Sequence, residues 1–213
     1  MTIKVFTALL VQDVQNDYLS NGVCPVGGAE DTFSAISEMA KTFERVIVAQ
    51  DFKPENHISF VENHTGCTVG DMVESEFGPI TLTKQCCVEG TSGADLPSQL
   101  RLPMSRIIAI LKGTHASINS YSAFLEADRK TETGLDAYCK DRFVNRIYLC
   151  GLNVNDSIIR TAFDALHFQI EVFWVKDAIA GIEPQNDEVK LKSLADHGVK
   201  FVTMQEVIDR EVR

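Results

Sequence analysis

No stretch of this sequence reaches the roughly 18 consecutive apolar residues that would span a bilayer. Basic residues are in the minority, with 20 Lys and Arg against 30 Asp and Glu, for a formal net charge of -10. That balance argues against a general basic field for nucleic acid or an anionic membrane surface, so neither is expected as a partner. The acidic residues are spread along the chain, as on a solvated surface, and form no acidic tail. The paired Cys-x-x-Cys spacing of a structural zinc site is also missing, although cysteines occur at 24, 67, 86, 87, 139 and 150. No repeat, linker or low-complexity segment interrupts the chain. The N-terminus, Met1-Thr2-Ile3-Lys4-Val5, enters a strand almost at once and leaves no room for a signal peptide. Together these absences predict a cytoplasmic protein whose cysteines stay as free thiols.

What is present is 45% hydrophobic residues in 213, enough to bury one sizeable core, so residues 1–213 are expected to be a single domain. Val5 to Val11 is a near-continuous apolar run, the mark of a parallel strand covered on both faces. Further strands are expected at Val46 to Ala49, Ile107 to Leu111, Ile147 to Cys150, Glu171 to Val175 and Lys200 to Thr203. Between them, helical patterns cover 31–44, 134–142, 157–168, 186–197 and 205–210, with a short helix around Tyr121 to Ala127. Residues 58–104 have little periodicity, and so long a loop in a compact domain is usually functional. Strands alternating with helices predict an α/β fold: one doubly wound, three-layer parallel sheet of six strands with right-handed crossovers.

In such sheets ligands bind beyond the carboxyl ends of the strands. The polar residues there are Asp13, Asp51, Lys112 and Ser157, one after each of four strands. An Asp at a strand end is often only a turn former. A Lys ending the apolar run Ile107-Ile108-Ala109-Ile110-Leu111 is harder to dismiss, because a half-buried ammonium wants a carboxylate. Asn155 and Asp156 are expected to cap the helix after the fourth strand, which puts Ser157 in its first turn among free amides. Such a serine is either a plain first-turn residue or a group placed where a nucleophile belongs.

Several separated motifs carry a resemblance. They are Val11-Gln12-Asp13-Val14-Gln15-Asn16-Asp17-Tyr18, Gln50-Asp51-Phe52-Lys53-Pro54 with His57-Ile58-Ser59-Phe60, Cys87-Val88-Glu89-Gly90-Thr91, Lys112-Gly113 with Ser120-Tyr121-Ser122-Ala123-Phe124, and Gly151-Leu152. In this order they resemble the nicotinamidase and isochorismatase-like family of cysteine hydrolases over nearly the whole chain. The Tyr-Ser-Ala-Phe segment places the chain nearer the nicotinamidases.

The resemblance implies a triad in which an Asp takes the proton of a thiol, a Lys stabilises the charge, and the thiolate attacks a ring carboxamide. Asp13 and Lys112 fall on the first two positions, and Ser157 falls on the cysteine. An oxyanion hole of backbone amides beside a cis peptide maps to Asn153, Val154 and Ser157. Tyr18 corresponds to the aromatic that packs on the substrate ring, and Tyr121 is expected to contact substrate as well. The family's divalent metal, such as zinc, binds the pyridine nitrogen and is held by an Asp and two His. Asp51 matches the Asp, but Lys53 and Cys86 stand at the His positions. Relatives are often dimers or tetramers, which implies a homo-oligomer.

These departures have physical consequences. A thiol of pKa near 8.5 is readily ionised beside an ammonium, whereas a hydroxyl is far less acidic. Amidase activity is therefore expected to be weak or absent, with a small carboxamide as the ligand. Asp51 and Cys86 are too few ligands for a stable zinc site, so no metal or other cofactor is expected. His64 and His115 read as plain loop histidines. Lys53 either stands where the metal stood and donates to the ligand, or forms a surface salt bridge with Asp51. Two other functions stay open: acid-catalysed vinyl ether cleavage by Asp13, as in isochorismatase relatives, and a non-catalytic ligand- or partner-binding role.

Overall fold

The computed structural model describes residues 5–212, and the expectation for Met1–Lys4 lies outside them. The apolar runs form β1 (Thr7–Gln12), β2 (Val46–Asp51), β5 (Ile107–Lys112), β6 (Arg146–Leu152), β7 (Glu171–Ala180) and β8 (Lys200–Val202). All six lie in one sheet in the order β5-β2-β1-β6-β7-β8, and every neighbouring pair is parallel. The chain steps outward from β1 to β2 and β5, then returns to place β6 on the other side of β1. The switch in strand order therefore falls between β1 and β6, where open α/β sheets form their ligand crevice.

Successive side chains of a strand point to opposite faces, and β1 shows this plainly. Leu9 and Val11 belong to a core shared with Ile36 and Met39 of α1 (Thr32–Ala40) and Val207 of α5 (Met204–Glu211). Ala8 and Leu10 belong to the core of the other face. That core holds Leu135 of α2 (Leu135–Asp141), Ile158 and Ala162 of α3 (Ser157–His167), and Leu194 of α4 (Pro184–Asp196). The result is the expected three-layer doubly wound sheet. Among the described residues no helix is long and apolar enough to cross a membrane.

Two expectations need correction. Residues 121–127 form no helix: Ala123, Phe124 and Leu125 are buried in succession, and Ser120 and Leu125 make isolated bridges to Glu126 and Glu132. The hydroxyl of Thr161 on α3 accepts from Ala123 N at 2.8 Å, and Thr133 Oγ1 donates to Ala123 O at 2.6 Å, so distant groups satisfy this backbone. The stretch 58–104 is not wholly irregular either. It carries an antiparallel hairpin of β3 (Met72–Ser75) and β4 (Gly78–Thr81), which brings Thr81 and Thr83 to the edge of the crevice.

Candidate active site

Asp13 follows β1 immediately and leaves the sheet with φ +58°, a left-handed conformation uncommon outside glycine. Cys87, Asn155 and Asp156 share that region, at φ +52°, +49° and +65°. Backbone of this kind gathers where a site is held in a demanding geometry.

The side chains expected at this edge come together. Ser157 Oγ donates to Asp13 Oδ2 at 2.9 Å, and Lys112 Nζ lies 3.0 Å from Asp13 Oδ1. Lys112 also pairs with Asp51 Oδ1. The second oxygen, Asp51 Oδ2, lies 2.9 Å from Lys53 Nζ and accepts from the Tyr18 hydroxyl. Ser157, Asp13, Lys112, Asp51 and Lys53 thus form one continuous buried relay across the ends of β6, β1, β5 and β2.

Burial is the largest influence on each of these groups, and the neighbours decide the sign. Asp13 is pushed up to about 6 because burial outweighs the attraction of Lys112. Burial also acts to raise Asp51, but two ammonium groups outweigh it and hold the carboxyl well below its usual range. Burial acts to lower Lys112 and Lys53, yet their carboxylate partners keep both ammoniums protonated well above the ordinary lysine range. Lys53 is 6% exposed, so its pair with Asp51 is buried and not a surface bridge.

Ser157 opens α3, as expected. The cap differs: Asp156 occupies the cap position with no side-chain cap bond, because its carboxylate pairs with Lys190 at 2.8 Å. The three amides expected to form an oxyanion hole are not all available either. Asn153 N donates to Ala180 O at 2.9 Å, and Ser157 N donates to Val154 O. That leaves Val154 of the three. No cis peptide occurs among the described residues, and the turn is made by left-handed Asn155 and Asp156.

Tyr18 is buried with its hydroxyl on Asp51, and it lines a cavity of about 360 Å3 together with Lys53, Cys24 and Cys86. Tyr121 lies across the crevice, in a tighter space of about 10 Å3 shared with Lys112 and Ser157. The Arg160 guanidinium sits 4.3 Å above the Tyr121 ring centre. Lys53, Thr83, Val154 and Asn155 border both spaces.

Of the three positions that match metal ligands, Asp51 and Lys53 are paired with each other. Both oxygens of Asp51 are committed to ammonium groups, one of them supplied by Lys53 itself. Among the described residues no group of three or more His, Cys, Asp or Glu side chains is arranged to hold a metal. His64 Nε2 contacts Ile58 O at 2.7 Å, and His115 is exposed. All six cysteines are free thiols.

Sequence reasoning missed three supporting groups. Gln12 donates from Nε2 to Asp13 Oδ2 (3.3 Å) and to Tyr121 O (3.2 Å), and its Oε1 accepts from Thr161 at 2.7 Å. Gln15 clamps the backbone of Asp51, donating to its O at 2.7 Å and accepting from its N at 2.8 Å. Buried His57 accepts at Nδ1 from Ser59 N (3.2 Å) and reaches Ile118 O with Nε2 at 3.2 Å. The signal for the two glutamines was their place beside Asp13 in the first motif.

Comparison with known proteins gives the chain its family. Residues 7–206 match the family described as Isochorismatase domain. A nicotinamidase of Acinetobacter baylyi is 39% identical over 176 residues, covering 83% of this chain and 82% of that protein. The solved Acinetobacter baumanii nicotinamidase pyrazinamidease superposes with a TM-score of 0.89 at 33% identity, covering 97% of this chain and 100% of that one. PnC1 from L. infantum, solved in complex with nicotinate, superposes at 0.79 with 28% identity over 96% of this chain and 98% of its own. The order of the strands and these likenesses agree: the chain belongs to the nicotinamidase and isochorismatase-like hydrolase family.

Proposed function

We propose that the pocket takes a small aromatic carboxamide and that Ser157 in place of a cysteine leaves amide cleavage weak or absent. The observation that carries this reading is the contact of Ser157 Oγ with Asp13 Oδ2 at 2.9 Å, backed by Lys112 on the far oxygen. In amide cleavage Asp13 would take the Oγ proton as the Oγ–C bond forms, then return it to the departing nitrogen. With Asp13 raised only to about 6, even an ordinary thiol near 8.5 is a weaker acid than the Asp13 carboxyl, so that transfer is already uphill. A hydroxyl is far less acidic, and Asp13 is too weak a base to close that gap. The two engaged amides of the turn reduce oxyanion stabilisation further, and one such donor is commonly worth about 3 kcal/mol of barrier. The likeness to nicotinamidases and to a nicotinate complex supports the ligand class.

The test is titration of nicotinamide into the protein, with ammonia assayed in the same samples. Binding with little or no ammonia supports the reading, and failure to bind contradicts it.

A second reading has its own observation. A carboxyl raised to about 6 carries a proton part of the time near neutral pH, which suits a general acid. Asp13 would then give its proton to the terminal carbon of a vinyl ether, and water would add at the resulting oxocarbenium carbon. The hemiketal would collapse to a carbonyl with release of the alcohol, all without help from position 157. Vinyl ether cleavage that survives Ser157→Ala and disappears with Asp13→Asn would favour this reading.

A further inference from the structure

Lys53 occupies an unusual place: a buried ammonium at the boundary between the tight space before Ser157 and the wider cavity beside Tyr18. Its backbone is anchored on both sides, donating to Cys87 O at 3.0 Å and accepting from Glu89 N at 2.9 Å. The side chain is 7% exposed, so it lies inside the protein and not in solvent. One ammonium proton serves Asp51 Oδ2 at 2.9 Å, and a second reaches the Tyr18 hydroxyl only at 3.5 Å. Among the described residues no further acceptor bonds to it. An ammonium has three donors and no acceptor. Besides Asp51 and Tyr18, that of Lys53 has the Phe60 ring, whose centre lies 5.9 Å from Nζ, and no third oxygen or nitrogen partner among the described residues, while Lys53 lines both cavities.

We infer that Lys53 is the ligand-anchoring cation of this pocket, donating to a hydrogen-bond acceptor on the ring of the bound carboxamide with no metal ion in between. This rests on the carboxamide reading above and specifies its ligand. Asp13 and Asp51 are matched by Lys112 and Lys53, so the cluster asks for no net charge from its ligand. The class is then a neutral aromatic carboxamide with an acceptor atom in the ring, placed so that the carboxamide reaches Ser157 while the acceptor reaches Lys53. A ring without that acceptor would leave a buried ammonium donor unsatisfied, which is the stronger source of discrimination.

The experiment compares nicotinamide with benzamide, which lacks the ring nitrogen, by isothermal titration of the intact protein before and after exhaustive chelation. A charged hydrogen bond predicts that nicotinamide binds about 10- to 100-fold more tightly. Chelation should change neither affinity. Lys53→Met should remove the preference, and Lys53→Arg, which keeps a cationic donor, should retain part of it. The chelation arm needs no variant, so the proposal stays testable if Lys53→Met fails to fold. Equal binding of the two ligands by the unaltered protein overturns this inference and leaves the carboxamide reading standing. Loss of the preference on chelation, with recovery on adding zinc, overturns it in favour of a metal. Binding of neither ligand overturns both readings.

Discussion

Lys112 Nζ stands 3.0 Å from Asp13 Oδ1 while the same ammonium pairs with Asp51 Oδ1, so one buried cation bridges two buried carboxylates. Its side chain is 1% exposed and those of Asp13 and Asp51 are 0% and 3% exposed, so neither carboxylate reaches bulk solvent. Lys112→Met should therefore cost about 3–5 kcal/mol of stability, the usual result of breaking a buried pair by removing one partner. Urea unfolding measures it. A loss under about 1 kcal/mol would mean that the carboxylates protonate or hydrate at little cost.

Gly151 on β6 pairs with Gln12 of β1 at φ +121°, and a Cβ there would lie 2.1 Å from the Gln12 carbonyl oxygen. The atoms that Cβ would meet, Gln12 O, N and C, are all backbone and cannot rotate away. Gly151→Ala should destabilise by at least about 3 kcal/mol and displace Asp13, which follows Gln12. A variant of near-normal stability would show that β1 and β6 can separate at the switch point.

The pH dependence of stability carries two opposed terms. His57 is buried and neutral, its pKa lowered to about 4 by burial and then by Lys53. The unfolded chain binds this proton more readily, so the stability contributed by neutral His57 is complete above about 6.5 and is lost as pH falls toward 4. Asp13, raised from 3.8 to about 6, runs the other way, since the folded state holds its proton more tightly across that interval. The comparison of the protein with His57→Gln isolates the first term. The stability difference between them should shrink as pH falls from 6.5 to 4, and a constant difference would contradict a buried neutral imidazole.

Much of this site was legible in the sequence because it sits where apolar runs stop. Asp13, Asp51 and Lys112 each end a hydrophobic strand, and Ser157 opens the helix after β6, so topology alone brings them to one edge. What was not legible depends on partners far away in the chain. Residues 121–127 lose their apparent helix because Thr161 and Thr133 bond to their backbone. The cap at Asp156 fails because Lys190, 34 positions on, takes its carboxylate. The β3–β4 hairpin has strands of four residues each and fully buries only Ile80, too short and too exposed for an alternating apolar pattern to stand out. Lys53 stood between two readings until its burial excluded the surface one.

Position 157 offers a direct test of the relay. A cysteine there would lie beside Asp13, with Lys112 one contact further on, so Ser157→Cys should be alkylated rapidly at neutral pH. Adding Asp13→Asn should slow that alkylation by about tenfold or more, by removing the group that accepts the proton. Equal rates in the two variants would mean that Asp13 does not act on this position.

The central claim concerns the oxygen that stands where the relay ends. Ammonia release from nicotinamide, followed for the unaltered protein beside Ser157→Ala, tests it most directly. The account predicts little or no release from the unaltered protein and no measurable difference from the alanine variant. Robust turnover that Ser157→Ala abolishes would contradict it and make Ser157 a competent nucleophile.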